Sequence, residues 1–220
     1  FWLYQAKEIV VGNGTSPPPP NIELQKDLFF GRFPHLNGKR IILFLGRIHP
    51  KKGLDLLIDA FDAVSNIDPN LHLVIAGPDG VGLKTRLQQR AKSLQVTDRI
   101  TWTGMLSGDL KWGAYRSAEL FCLPSHQENF GVAVAEALAC SLPVAISYPV
   151  NISSEVSDAD GGLVFGDNLE ELKNCLLKWL SMSDSAKQRM ALNAEQLFND
   201  KFNVTSVCTK LASVLSSTKK

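Results

Sequence analysis

From Arg40 onward, the chain alternates short apolar runs with amphipathic stretches. Residues 41–45 are a continuous run of large apolar side chains, which is typical of a strand covered on both faces. The stretch 53–64 then repeats leucine, isoleucine and phenylalanine at the spacing of a helix with one buried face. The first predicted unit is therefore a strand followed by a helix.

The same alternation continues to the end of the chain. Strands are expected at 41–45, 71–76, 99–103, 120–123, 143–147 and 162–165. Helices are expected at 53–64, 83–95, 109–117, 131–140, 168–181, 184–199 and 204–215. Strands that alternate with helices at this pitch indicate a parallel sheet with helices on both faces. We therefore predict an α/β, Rossmann-like, doubly wound sheet of about six strands, whose ligands bind beyond the carboxyl ends of the strands.

Residues 1–39 lack this pattern and are expected to form an irregular linker or arm, with a short strand compatible with residues 7–11. Prolines 17–20 follow, and proline stiffens the backbone because it fixes φ. We interpret 40–200 as the ligand-binding domain and 201–220 as a C-terminal helix. The chain opens with Phe1 rather than methionine, which we interpret as a piece of something longer.

Composition restricts the classes of partner. The formal net charge is +1, with 45% hydrophobic and 20% charged residues, so no basic excess points to nucleic acid or a membrane surface. An anion site must therefore be local. No apolar stretch reaches the roughly 18 residues of a membrane span. The four cysteines lack metal-ligand spacing, which indicates free thiols in a reducing, cytoplasmic location.

Cations gather where the first predicted strand ends. Gly46-Arg47 follows this strand, and Lys51-Lys52-Gly53 leads into the next helix. The free N–H groups at a helix start favour anions, and arginine offers a planar fork for phosphate oxygens. A solvated basic loop is the alternative interpretation.

Carboxylates gather where the fourth predicted strand ends. Glu128 precedes the expected helix, and Glu136 lies inside it among small apolar residues. A carboxylate in such surroundings costs free energy unless it is hydrogen-bonded or paired. The two hydroxyls of a ribose would satisfy Glu136, and so would an internal salt bridge.

Together these segments resemble a known family. Gly46-Arg47 and Lys52-Gly53, followed by Glu128 and Glu136 eight positions apart, resemble the retaining glycosyltransferases of family 4, which have the GT-B fold. The resemblance covers about residues 40–200. It implies the C-terminal, donor-binding half of a GT-B enzyme, and Gly12-Asn13-Gly14 resembles the segment that joins the two halves.

The resemblance also implies roles. Arg47 and Lys52 would hold the diphosphate and neutralise the leaving nucleotide, Glu128 would meet the transferred sugar, and Glu136 would take the ribose hydroxyls. Further contacts are expected at Gly46, Gly77, Gly104, Met105, Leu106, Asn129, Phe130, Gly131 and Val132, largely through main-chain groups. The family usually has glycine where this chain has Asn129, which affects the sugar contacts.

No metal or other cofactor is expected, because fixed cations can meet the charge of the leaving diphosphate. Asp158-Ala159-Asp160 superficially resembles the D-x-D metal motif of another glycosyltransferase fold. It precedes two glycines, however, and aspartate and glycine are ordinary residues of a turn.

The donor and acceptor are less constrained. Residues 150–155 are similar to glycosyltransferases of cyanobacterial polysaccharide synthesis, including that of the heterocyst envelope, which favours UDP-glucose but leaves GDP-mannose open. The implied acceptor is a polysaccharide or lipid-linked glycan, held by a domain that would make at most peripheral membrane contact. The alternatives are a non-catalytic nucleotide-sugar sensor and another GT-B enzyme, such as an epimerase or a phosphorylase. We expect the 220-residue chain to bind donor without efficient turnover.

Overall fold

The computed structural model describes residue 9 and residues 11–217. Its centre is a six-stranded sheet in which every pairing is parallel. The strands, β1 to β6 in chain order, are Arg40–Leu45, Leu71–Ala76, Ile100–Gly104, Leu120–Leu123, Val144–Ser147 and Gly162–Phe165. Every residue of β2, β4 and β5 is buried, which explains why these strands are apolar apart from His72 and Ser147.

The strand order β3-β2-β1-β4-β5-β6 places β1 between β2 and β4. The chain builds outward from β1 to β3 and then returns to the other side of β1 to add β4, β5 and β6. Where the order reverses, the loops after the two neighbouring strands leave toward opposite faces, and a crevice opens at their carboxyl ends. The loops after β1 and β4 therefore flank the place where this fold binds ligands.

Nine α-helices cover the sheet in the described part of the chain. In chain order, α1 to α9 are Ile22–Arg32, Leu54–Ser65, Leu83–Ser93, Gly108–Ser117, Val132–Ala139, Ser153–Asp158, Leu169–Ser181, Asp184–Leu197 and Val204–Ser217. On one face α2 packs against α3 and α7. On the other, α1 packs against α4 and α5 packs against α8, as right-handed crossovers require.

The predicted fold is confirmed. All six expected strands and all seven expected helices are present, with ends within two residues of the prediction. One helix within the body of the domain was not expected. This is α6, which has only six residues, five of them polar, and therefore carries too short a pattern to be recognised.

The expectation that residues 1–39 are irregular was wrong between Ile22 and Arg32. There α1 packs against α4, and its buried Gln25 donates to Asp109 at 3.0 Å. The helix buries Phe29 but leaves Leu24 and Leu28 exposed, so no apolar stripe marks it in the sequence.

The proline run is also fixed to the body of the domain, because the carbonyl of Pro19 accepts from the Arg116 guanidinium at 3.0 Å. Of the strand expected at 7–11, residues 7, 8 and 10 lie outside the described residues, and residues 9 and 11 are not in a strand. The domain boundaries at 39 and 200 stay predictions.

None of the helices in the described ranges combines the length and the apolar character needed to cross a membrane. All four cysteines are free thiols: Cys122 and Cys175 are buried, Cys140 is half-buried and Cys208 is exposed. Burial raises the pKa of Cys175 to about 12, which favours the protonated thiol at neutral pH.

Candidate functional site

Two loops meet at the crevice between β1 and β4. Residues 46–53 follow β1 and contain a short 3₁₀ helix at Pro50–Lys52, and residues 124–131 follow β4 and lead into α5. The amide of His126 in the second loop donates to the carbonyl of Lys51 in the first at 2.8 Å. The two segments singled out in the sequence, 76 positions apart at Lys52 and Glu128, are thus joined backbone to backbone.

Gly53 allows this close approach. Its φ is 62°, and a Cβ atom built there would lie 2.0 Å from the carbonyl oxygen of Pro124. A side chain at this position would therefore be strained and would also collide with the second loop. The glycine that ends Lys51-Lys52-Gly53 sets the separation of the two loops and the position of Lys52 between them.

A cavity of about 300 Å³ lies between these loops. Its lining residues are Arg47, His49, Lys51, Lys52, Gln127, Glu128 and Asn129. Three of these carry permanent positive charges, although the net charge of the whole chain is only +1. The cavity is therefore a local cationic site, as the composition required, and arginine and lysine are the side chains that bind phosphate groups.

One carboxylate lies among these cations. The ammonium of Lys52 is ion-paired with Glu128, and the two side chains are 16% and 20% exposed. Lys51, by contrast, donates to the amide oxygen of Gln127 at 3.0 Å. The interpretation of Lys51-Lys52-Gly53 as a solvated basic loop does not hold for Lys52, which is largely buried and directed into the cavity.

The backbone of Glu128 is held on both sides. Its amide donates to the carbonyl of Pro149 at 3.3 Å, and its carbonyl accepts from the amide of Asn151 at 3.1 Å. These two hydrogen bonds form a short parallel β-bridge between Glu128 and Val150, which lies in the segment after β5. The carboxylate therefore projects from a fixed point of the crevice wall.

Gly131 connects Glu128 to α5. A Cβ atom there would lie 3.4 Å from the Cγ of Glu128, so the helix start is packed close to the cavity. The helix begins at Val132, and the first amides of a helix have no partner within it. Its N-terminus thus brings partial positive charge to the wall of the crevice.

Glu136 lies farther along α5 and is held by α4. Its Oε1 accepts from Lys111 at 2.7 Å and its Oε2 accepts from the Tyr115 hydroxyl at 3.1 Å. Burial, followed by the charge of Glu136, raises the pKa of Tyr115 well above its usual value. The internal salt bridge considered for Glu136 is therefore present. Each carboxylate oxygen still has a second lone pair that could accept from a hydroxyl.

Three glycines end the first three strands. A Cβ atom at Gly77, whose φ is 147°, would lie 1.8 Å from the carbonyl oxygen of Gly46, so only glycine fits there. The amide of Gly77 donates to the carbonyl of Gly104 at 2.8 Å. The main chains at the ends of the three strands therefore lie against one another, and the expected contacts of Gly46, Gly77 and Gly104 with a ligand stay predictions.

Four of the expected site residues line the cavity together: Arg47, Lys52, Glu128 and Asn129. The other expected residues do not line it. Met105 and Val132 are exposed, and Leu106 packs against the core.

Phe130 packs edge-on against Phe202, with the ring centroids 5.7 Å apart. It borders a second cavity of about 460 Å³, which adjoins the first at Asn129. Asn129, where the family usually has glycine, thus lines both cavities.

Lys111, Tyr115 and Asp167 were not expected near the site. Lys111 and Tyr115 hold Glu136, and Asp167 hydrogen-bonds His126 at 2.7 Å. All three come from other elements, so the spacing within either motif carries no signal for them. Helical periodicity does place Lys111 and Tyr115 on one face of α4, since they are four residues apart.

Asp158 and Asp160 lie at the other end of the sheet. Both precede the amino end of β6: Asp158 ends α6, and Asp160 lies in the turn between α6 and β6. Within the described residues, no group of three or more histidine, cysteine, aspartate or glutamate side chains could hold a metal ion.

Comparison with known proteins gives the family. The model for "Glycosyl transferases group 1" matches residues 25–197. A D-inositol 3-phosphate glycosyltransferase from Actinosynnema mirum is 32% identical over 162 residues, which is 70% of this chain and 39% of that protein. A mannosylfructose-phosphate synthase from Agrobacterium fabrum is 34% identical over 114 residues, 49% of this chain and 25% of that protein.

Solved structures share the fold at low sequence identity. Sucrose-phosphate synthase from Thermosynechococcus elongatus has a TM-score of 0.79 and 20% identity, over 98% of this chain and 54% of that one. Anabaena HepE, solved with UDP and glucose, has a TM-score of 0.77 and 21% identity, over 93% of this chain and 55% of that one. A C-terminal domain of a Francisella tularensis group 1 glycosyl transferase is covered completely, with a TM-score of 0.74, 21% identity and 87% of this chain matched.

The chain spans about half or less of the full-length relatives. The family model matches most of its length, and the six-stranded sheet, the crevice and the Francisella domain agree with that match. The chain belongs to the group 1 glycosyl transferases and has the fold of the C-terminal domain of their GT-B members.

Proposed function

We propose that the chain is the donor-binding domain of a glycosyltransferase and that the cationic cavity at the β1–β4 crevice holds the diphosphate of a nucleotide sugar. The observation that carries this proposal is the presence of Arg47, Lys51 and Lys52 in one cavity at the point where the strand order reverses. HepE, which has the same fold, was solved with UDP. A cationic cavity at this crevice suits a diphosphate.

Each side chain then has a part in binding or transfer. Arg47 and Lys52 hold the phosphates, assisted by the amides at the start of α5. Glu128 accepts from the hydroxyls of the sugar, and Glu136, oriented by Lys111 and Tyr115, accepts from the ribose. The base lies by the main chain of Gly104, Met105 and Leu106.

Transfer in this proposal proceeds with retention of the anomeric configuration. As the nucleoside diphosphate leaves, negative charge develops on its β-phosphate. Arg47 and Lys52 stabilise that charge from fixed positions, and they need no metal ion to do so.

The proposed donor is UDP-glucose, and the proposed acceptor is a polysaccharide or lipid-linked glycan. The fold shared with HepE is compatible with UDP-glucose, because that protein was also solved with this compound. Three of the similar proteins are named after phosphorylated compounds: D-inositol 3-phosphate, mannosylfructose phosphate and sucrose phosphate. A phosphorylated acceptor is therefore a further candidate. We propose a cytoplasmic location, where sugar nucleotides are available.

Calorimetry with UDP, GDP and ADP, each with and without its hexose conjugate, tests the proposal. We expect binding of UDP and UDP-glucose that EDTA leaves unchanged. Arg47→Ala should weaken UDP binding by about 1.5–3 kcal/mol, the range for hydrogen bonds to charged groups. Arg32→Ala is the matched control, because Arg32 is exposed at the end of α1, on another element. Equal effects of the two substitutions would contradict the proposal.

Turnover is tested separately. In GT-B enzymes the acceptor side of the cleft comes from another domain, and the described residues build one sheet. We therefore expect the 220-residue chain to bind UDP-glucose and to transfer glucose poorly. Rapid transfer, or conversion of free UDP-glucose to an epimer, would contradict this expectation.

A further inference from the structure

The ion pair between Lys52 and Glu128 places a negative charge inside an anion site. Among the described residues that line the cavity, Glu128 is the one with a carboxylate. It binds the same ammonium that the proposed diphosphate needs. Any phosphate that contacts Lys52 must therefore compete with Glu128 or lie beside it, and two like charges at such a distance repel each other.

Glu128 cannot leave the cavity easily. Its amide and carbonyl are both hydrogen-bonded to residues 149–151, and α5 packs close to its Cγ at Gly131. Its side chain is also only 20% exposed, so water screens the carboxylate weakly. The competition is therefore a fixed property of the site.

The competition affects two ligands differently. In a free nucleoside diphosphate the terminal phosphate has a second ionisation with a pKa of about 6, so it carries two negative charges at neutral pH. In a sugar nucleotide the sugar occupies that oxygen, one charge is absent, and sugar hydroxyls can donate to a carboxylate. Glu128 repels the first ligand and can hydrogen-bond to the second.

We propose that Glu128 selects the sugar nucleotide over the free nucleoside diphosphate and so favours release of the product after transfer. This inference rests on the proposed function of the cavity. Selectivity of this kind comes from repulsion of the wrong ligand as much as from attraction of the right one.

Glu128→Gln tests the inference through a gain of affinity, which a folding defect cannot produce. Binding of UDP, UMP and UDP-glucose is measured by calorimetry. We expect UDP affinity to rise about threefold to tenfold, because Lys52 loses its competitor and the repulsion disappears. UMP affinity should change less than about twofold, since UMP lacks the β-phosphate. The preference for UDP-glucose over UDP should fall.

Two further variants serve as controls. Glu155→Gln makes the same change of charge in the neighbouring cavity and should leave UDP affinity unchanged. Glu128→Asp keeps the charge and should keep the preference for UDP-glucose.

The outcomes separate the inference from the proposed function. Unchanged or weaker UDP binding by Glu128→Gln would overturn the inference while the donor site stands. Failure of the unchanged chain to bind either UDP or UDP-glucose would overturn the proposed function and this inference with it.

Discussion

At the scale of single residues, the geometry of the cavity depends on one glycine. Gly53 places Lys52 beside Glu128 by letting the first loop approach the carbonyl of Pro124. Spacing in the sequence indicated that a helix begins there, but not that the second loop lies against it.

Replacing Gly53 with alanine should destabilise the protein by about 3 kcal/mol, because a positive φ and a collision with backbone are both imposed. UDP binding should weaken as well, since Lys52 moves. Urea denaturation and calorimetry measure the two effects.

Gly38→Ala is the matched control. Gly38 has a φ of +76°, but nothing lies within 4 Å of its Cβ position, so only the strain remains, about 1 kcal/mol. Equal losses of stability in the two variants would show that the contact with Pro124 does not matter.

At the scale of elements, α4 and α5 are joined through Glu136. This carboxylate lies in a helix that otherwise packs small apolar residues, and the Tyr115 hydroxyl and Lys111 ammonium of α4 are its partners. The two helices flank the fourth strand, so the contact sets how the start of α5 faces the crevice.

Tyr115→Phe removes a buried donor from this contact. The expected loss is about 1–2 kcal/mol of unfolding free energy, because Glu136 keeps only Lys111 as a side-chain partner. Tyr148→Phe should change stability by less than about 0.5 kcal/mol, since Tyr148 is 74% exposed. Thermal denaturation of both variants measures the difference, and similar shifts would argue against a structural role for the hydroxyl.

At the scale of the whole molecule, one buried histidine makes stability depend on pH. His72 lies in β2, is 5% exposed and shares the Thr101 hydroxyl with His35, at 2.9 and 2.8 Å. Burial lowers the pKa of His72 from 6.5 to about 4, and the nearby charges of His35, Lys39 and Arg99 act in the same direction. Its neutral form is therefore favoured in the folded protein.

Stability should fall as the pH drops from about 6.5 toward 4. In this range His72 is protonated in the unfolded chain but stays neutral in the folded protein, so protonation favours the unfolded state. At pH 5 the expected loss from this group is about 1–2 kcal/mol relative to pH 7.5. Urea denaturation across this range should show a shallower dependence for His72→Gln. If the unfolding free energy of His72→Gln depends on pH as steeply as that of the unchanged protein, the pH dependence comes from other groups.

The order of the elements could be predicted from sequence, and the reason is local. Apolar runs such as Ile41–Leu45 and the helical spacing that follows Gly53 depend on neighbours along the chain. The same holds for the edge at which the candidate side chains gather, since parallel strands put their following loops at one edge. Arg47, Lys52 and Glu128 follow the ends of two predicted strands, and the family resemblance added Asn129 to the expected contacts. All four line one cavity.

Contacts between distant segments were decided by the tertiary structure alone. Three contacts join residues that are far apart in the chain. They are the ion pair of Lys52 with Glu128, the hydrogen bonds from α4 to Glu136 and the packing of α1 against α4. Sequence patterns report which face of an element is apolar, whereas the partner of a buried charge depends on how whole elements pack. The sequence by itself thus determined the sheet and the edge at which the candidate side chains gather, and the three-dimensional packing decided which charges meet there.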